Sequence, residues 1–289
     1  MQTLLSHGLR IQQTSGARKM VRSVQPKGDG IPLFLVAPGI ECVNLVRYLG
    51  SGQPVFAIQI PEPSAAHPRL EDIAALLAGE IRRCRPNGPY AFAGWCAAGI
   101  LGLEIARHLE KAGCPVAFAA VLDARRIFLP HASLARRAWI GSWLLAERVG
   151  FFLKCVMKMG ITPIKIALGA RARRIQNLAR RMRKLDPPDA IVESLKSYVP
   201  TRWSGRVVHI WAEQRPRGRF RDAEFAWGAV SPQGFKFYEV PGDHVTILEE
   251  PAIGKVAMIM ERELRKARLI PTIKKALSDA PRPPSSPRS

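Results

Sequence analysis

The sequence predicts an α/β protein: a largely parallel sheet with helices on both faces. Three observations predict it. Short apolar runs alternate with helix-length segments along most of the chain. The runs are almost continuously apolar, as strands buried on both faces require. Cys96, Asp123 and His244 each fall immediately after a strand candidate, and sheets of this kind bind ligands at the carboxyl ends of their strands. A chain of 289 residues is accommodated by one domain with appendages.

Taken in order, residues 1–30 are polar and basic without sustained periodicity, and read as a lead-in or linker. Residues 31–37 and 54–58 read as strands, and 70–84 as an amphipathic helix. A strand at 89–93, a helix at 98–112 and a strand at 117–122 follow, then strands at 207–212 and 236–240 and a helix at 253–268. The domain therefore spans 31–268. Residues 125–200 depart from the alternation and are helix-like throughout, with Trp139, Trp143, Leu144, Leu145, Phe151, Phe152, Val156 and Met157 among cations. This segment reads as an inserted helical cap, suited to lining an acyl channel and excluding water. Residues 269–289 form a tail whose end, rich in Pro, Ser and Arg, is expected to be disordered.

Composition narrows the function classes. The formal net charge is +21, and between Arg125 and Lys184 fifteen Lys or Arg face the single acid Glu147. Such a field raises encounter rates with acidic partners, a carrier protein or an anionic membrane surface among them. Nucleic acid is disfavoured, because no aromatic-basic signature accompanies the charge. Zinc-ligand spacing and a Gly-rich phosphate loop are absent too, so no metal or redox cofactor is expected. Cys42, Cys84, Cys96, Cys114 and Cys155 are an odd set without framework spacing, and the first residues lack a signal-peptide core. Both features predict free thiols in a reducing cytoplasm. Glu147, Arg148, Lys154, Lys158 and Lys165 interrupt the one stretch that approaches the length of a membrane span.

The most informative segment is Gly94-Trp95-Cys96-Ala97-Ala98-Gly99, where an apolar strand turns sharply into a helix. At such a nucleophile elbow the reactive residue is strained, and the residues two before and two after it must be small. Gly94 and Ala98 meet that demand, which makes Cys96 the candidate nucleophile. A thiol nucleophile needs a base, an acid that orients the base, and amide donors for the oxyanion. His244, in Gly242-Asp243-His244 between the last strand and last helix, fits the base. Asp123, ending Val121-Leu122-Asp123, fits the acid, with Glu213 or Asp222 as alternatives after a later strand. The backbone N–H groups of Ala97 and Ile40 fit the oxyanion donors. Beside these stand plainer readings, a packing cysteine and a loop histidine; the small-x-Cys-x-small and Gly-Asp-His contexts favour chemistry. The order nucleophile, acid, histidine is that of α/β-hydrolases.

These residues resemble the thioesterase domains that terminate nonribosomal peptide synthetases and polyketide synthases, which have the α/β-hydrolase fold. Residues 23–28 resemble the linker before their first strand, and Pro32-Leu33-Phe34-Leu35-Val36 with Pro38-Gly39 the oxyanion strand and loop. Gly88-Pro89-Tyr90 with Ala93-Gly94-Trp95-Cys96 is similar to the Gly-Pro-Tyr and Gly-Trp-Ser elbow, and Gly242-Asp243-His244 to the histidine motif. Weaker matches lie at Tyr198-Val199-Pro200, Trp203-Ser204-Gly205, Asp222 and Trp227-Gly228. The resemblance covers about residues 20–268 and is poor in the cap. It implies Cys96 as nucleophile, His244 as base, Asp123 as acid, and an acyl or peptidyl chain carried on the phosphopantetheine of a carrier protein.

Two departures shape the expected chemistry. Cysteine replaces the commoner serine, so loading exchanges one thioester for another of similar energy and leaves the acyl-enzyme activated towards water, an amine or an alcohol. Hydrolysis and transfer or cyclisation in secondary-metabolite biosynthesis therefore both remain open. No carrier or synthetase domain accompanies the elbow, which predicts a free-standing partner acting in trans or a domain cut from a larger context, the initial Met1 favouring the former. Alternatives are an editing (type II) hydrolase that clears stalled chains and a non-catalytic carrier-protein docking module.

Overall fold

The computed structural model describes residues 20–37, 41–60, 69–124, most of 191–214 and 230–275, and five positions between 142 and 153. Residues 125–190 of the cap assigned to 125–200, with its basic segment, lie almost wholly outside the described residues, as do Ile40 and Asp222.

Seven strands form one sheet in the order β1-β3-β2-β4-β5-β6-β7. They are β1 (Val21–Gln25), β2 (Leu33–Val36), β3 (Val55–Ile58), β4 (Tyr90–Trp95), β5 (Val116–Leu122), β6 (Val207–Ala212) and β7 (Phe235–Val240). β1 pairs antiparallel to β3, and every other neighbouring pair is parallel. The parallel strands β2 to β6 are buried at nearly every position, which accounts for their unbroken apolar sequences.

Helices cover both faces. α1 (Glu41–Tyr48) and α4 (Ala252–Ala267) share one side, where Leu45, Val46, Ile253 and Val256 pack on Leu35, Ala93, Ala120 and Ile210. α2 (Leu70–Cys84) and α3 (Ala97–Lys111) share the other, where Ile73, Leu77, Ile100 and Leu103 pack on Val36, Phe56, Phe92 and Val121. Phe34 is wholly buried at the centre of this layer, stacked on Phe56 at 5.1 Å and tilted against Phe92 at 5.6 Å. Such buried aromatics each contribute several kcal/mol, roughly 3–5 kcal/mol on truncation to alanine. From β2 the chain runs outward to β3 and then back across to β4 on β2's other side. A crevice opens where strand order reverses in this way, and the elbow after β4 lies at it.

Three features depart from the sequence reading. β1 lies inside the segment assigned as lead-in over 1–30, so the domain begins by Val21. This edge strand is only five residues long with a mixed burial pattern, so its alternation is weak. At the other end Ile273 is buried and joins the α1/α4 core, so the domain extends past 268. α1 was not anticipated: at eight residues it carries too short a periodic pattern to stand out. Among the described residues, no helix is long and apolar enough to cross a membrane.

Candidate active site

β4 carries its strand pairing through Trp95, two residues further than the apolar run suggested, and α3 starts at Ala97. Cys96 is the single hinge residue between them, with φ 53° and ψ −120°. A non-glycine residue at that φ is strained and persists only when its surroundings hold it. Here the Cys96 N–H donates to the Leu122 carbonyl at 2.7 Å, and the Cys96 carbonyl accepts from the Gly99 N–H at 3.1 Å. The strain is compatible only with small neighbours. A Cβ on Gly94 would lie 2.5 Å from the Ala98 carbonyl carbon, and one on Gly99 would lie 2.5 Å from the Gly94 carbonyl oxygen. Gly94 and Ala98 were expected to be small; Gly99 is a third close approach that the elbow pattern alone did not show.

Asp123 follows β5 directly, itself at φ 47° and fully buried. Its N–H donates to the Ile210 carbonyl at 2.8 Å, and its Oδ1 accepts from the Ala212 N–H at 3.1 Å. Its Oδ2 lies 2.6 Å from Nδ1 of His244. A buried carboxylate is tolerated when it is paired and hydrogen-bonded in this way. Asp123 is thus the carboxylate on the histidine. Glu213 is exposed at the end of β6, its N–H donating to the Val240 carbonyl.

His244 stands on the loop between β7 and α4. Gly242 takes φ 99°, a left-handed turn that favours glycine. Asp243 and Thr246 then clasp the loop from both sides: Asp243 Oδ1 accepts from the Thr246 N–H at 3.0 Å, and Thr246 Oγ1 accepts from the Asp243 N–H at 2.8 Å. The Asp-x-x-Thr spacing is the signal that could have found this clasp, since short polar side chains bond backbone groups a few residues away. Asp243 is therefore a loop-building residue within the Gly-Asp-His motif.

Trp95 joins the elbow to this loop. Its indole N–H donates to the His244 carbonyl at 3.0 Å, and its ring stacks on the imidazole with centroids 4.8 Å apart and planes 28° apart. Cys96 and His244, 148 positions apart in sequence, are thereby held at one end of the sheet together with Asp123. The Ala97 N–H lies at the first position of α3, where helix N–H groups have no intrahelical partner and favour developing negative charge.

A network behind the elbow anchors α3 to the 191–200 segment. The Tyr198 hydroxyl donates to Glu104 Oε2 at 2.6 Å, as does Arg107 Nη1 at 2.6 Å, and all three residues are buried. Burial and the facing Glu104 carboxylate push the Tyr198 hydroxyl far above its usual range, so it stays a donor at any working pH. Among the described residues, no group of three or more His, Cys, Asp or Glu could hold a metal ion.

Residues 42–139 match the thioesterase domain family model. The chain is 27% identical over 271 residues to an inactive atromentin synthetase of Paxillus involutus, covering 83% of this chain and 28% of that protein. It is 26% identical over 289 residues to chondramide synthase of Chondromyces crocatus, covering 86% of this chain and 7% of that one. It is 25% identical to the atromentin synthetase of Tapinella panuoides, covering 78% and 26%. The chain thus spans about a quarter or less of these curated relatives. Among solved structures, a four-domain nonribosomal peptide synthetase superposes with a TM-score of 0.58 at 21% identity, covering 84% of this chain and 20% of that one. The NocB thioesterase domain, in covalent complex with a fluorophosphonate nocardicin G analog, superposes at 0.55 and 19% identity, covering 85% and 99%. These superpositions show the α/β-hydrolase fold.

Proposed function

We propose that the chain is a thioesterase that takes an acyl or peptidyl chain from a carrier-protein phosphopantetheine thioester onto Cys96 and releases it in secondary-metabolite biosynthesis. The observation that carries this reading is the Asp123–His244 hydrogen bond of 2.6 Å, on a loop tied to Trp95, the residue preceding Cys96. A decayed site has no need of such a pair. With Nδ1 held by Asp123, Nε2 is the ring nitrogen that takes the proton from Cys96 Sγ as it attacks the thioester carbonyl. The oxyanion forms against the N–H groups of Ala97 and, by the sequence reading, Ile40. Collapse breaks the bond to the phosphopantetheine sulfur, which leaves as a thiol with the proton returned by His244. Water or another nucleophile, deprotonated by the same imidazole, then releases the acyl group and restores the Cys96 thiol. The covalent complex of the NocB domain supports a covalent route. An acidic carrier protein suits the strongly basic 125–184 segment.

The second reading, a non-catalytic docking module, is favoured by one observation: relatives at 27% and 24% identity are named inactive synthetases. Intact-protein mass spectrometry after incubation with acyl-phosphopantetheine mimics separates the two, using the native chain, Cys96→Ala and Cys96→Ser. An adduct mapped to Cys96 and lost in Cys96→Ala is expected, and its discharge by water against amines or alcohols divides hydrolase from transferase. An unmodified native protein that also fails to turn over a carrier-linked thioester establishes the docking module instead.

A further inference from the structure

We propose that Trp95 is the positioning residue for His244, tying the imidazole to the nucleophile's own strand. This rests on the reading of Cys96, His244 and Asp123 as the reacting set. Asp123 holds the imidazole by one edge, at Nδ1, through a hydrogen bond of 2.6 Å that by itself fixes that edge and not the tilt of the ring about the line joining the two atoms. Trp95 removes that freedom twice. Its indole N–H fixes the His244 main-chain carbonyl at 3.0 Å, so the backbone at that residue cannot drift from the sheet. Its ring, stacked at 4.8 Å and 28°, meets the imidazole face and limits rotation about the side chain.

The sequence position of Trp95 gives this grip its consequence. Being peptide-bonded to Cys96 and still paired with Leu122 as the last residue of β4, it moves with the elbow, so a shift of the nucleophile carries the histidine with it. The Asp243–Thr246 clasp shapes the loop internally but does not itself reach β4. The Trp95 bond to His244 spans 149 positions and joins the loop to the strand that bears the nucleophile. Reacting groups must hold their spacing within a fraction of an ångström, and a 1 Å misplacement costs about 100-fold in rate.

The test compares Trp95→Leu, which removes both ring and donor, with Trp95→Phe, which keeps a ring face without the donor. Single-turnover acylation by an acyl-phosphopantetheine thioester is measured beside steady-state kcat and KM, with Cys96→Ala and Asp123→Asn in the same series. Trp95→Leu is expected to lower the acylation rate and kcat by about 30–100-fold with KM within about threefold, and Trp95→Phe to recover a good part of that loss. The low-field Nδ1 proton of His244, lost in Asp123→Asn, should broaden in Trp95→Leu. Acylation at the native rate in Trp95→Leu, with Cys96→Ala inert, overturns the role of Trp95 alone. Full turnover by Cys96→Ala overturns the underlying reading and this inference with it. If Trp95→Leu does not fold, Trp95→Phe decides: an unchanged rate and an unchanged His244 proton resonance overturn the proposal, and a loss confined to kcat supports it.

Discussion

Replacing Gly94 by alanine tests the elbow with one methyl group. The added Cβ would stand 2.5 Å from the Ala98 carbonyl carbon, 2.6 Å from its oxygen and 2.6 Å from the Gly99 nitrogen. All three are backbone atoms at the start of α3, so no side chain can swing aside. Ordinary carbon contacts are about 3.5–4.0 Å, so strand and helix must separate by roughly 1 Å. Overpacking of a fixed core costs about 1–3 kcal/mol, and a backbone-on-backbone clash belongs at the upper end. For a domain of this size about 3 kcal/mol lowers Tm by roughly 6–12 °C. The same 1 Å shift moves the Ala97 N–H relative to the bound carbonyl, for a rate loss of about 100-fold. Gly79, in mid-α2 with nothing within 4 Å of an added Cβ, is the control: Gly79→Ala should gain about 0.5–1 kcal/mol from helix propensity. Thermal denaturation followed by circular dichroism, paired with thioester turnover, checks both. If Gly94→Ala melts and turns over like the native chain while Gly79→Ala behaves as stated, the close-approach account of the elbow is wrong.

Asp123→Asn, which keeps the shape but loses the carboxylate that orients Nδ1 of His244, should cost roughly 10³–10⁴-fold in turnover, measured with carrier-linked or mimic thioester at fixed pH. Iodoacetamide should modify Cys96 ahead of Cys84, although Cys84 is exposed and Cys96 half-buried, because in the proposed reaction His244 accepts the Cys96 proton as the sulfur attacks; peptide mapping would show Cys84 labelled first if this is wrong, and His244→Ala should abolish the preference. Glu263 is wholly buried at α4, and burial alone would raise its carboxyl. Hydrogen bonds from Lys266 and Tyr238 and the charges of Lys266 and Arg206 outweigh burial and hold it below its ordinary value. A depressed carboxyl contributes stability above its unfolded-state value, near pH 4.5, and that contribution is lost as pH falls through the lower folded-state value. Glu263→Gln should therefore lose about 1–3 kcal/mol at pH 7 and show a shallower loss of Tm between pH 5 and 3 than the native chain.

Much of the site was legible because its signals are local. The elbow is a demand on five consecutive residues, and Gly94, Cys96 and Ala98 carry it whatever lies elsewhere. Buried parallel strands must be apolar at every position, so β2, β4, β5 and β6 announced themselves and placed Cys96 and Asp123 at strand ends, while the run that forms β7 placed His244. Edge strand β1 and the two-turn α1 were not announced, because a half-exposed pentapeptide and an eight-residue helix carry too few periods to rise above their surroundings.

The choice among carboxylates and the partner of Trp95 belong to the tertiary structure. In sequence, Asp123, Glu213 and Asp222 are all acids following β5 or β6, and nothing local ranks them against a histidine 121, 31 or 22 residues away. The parallel register that sets Leu122 against Ile210 turns the Asp123 carboxylate to His244 and to the Ala212 N–H. Likewise Trp95 reads as part of an elbow motif until β4 and the loop after β7 are brought to one end of the sheet and its N–H meets the His244 carbonyl. Amino-acid order determines what each residue can do chemically and which local shape it takes. Which residues meet is decided by strand pairing and helix packing, since a distance between residues far apart in the chain exists only once those contacts form.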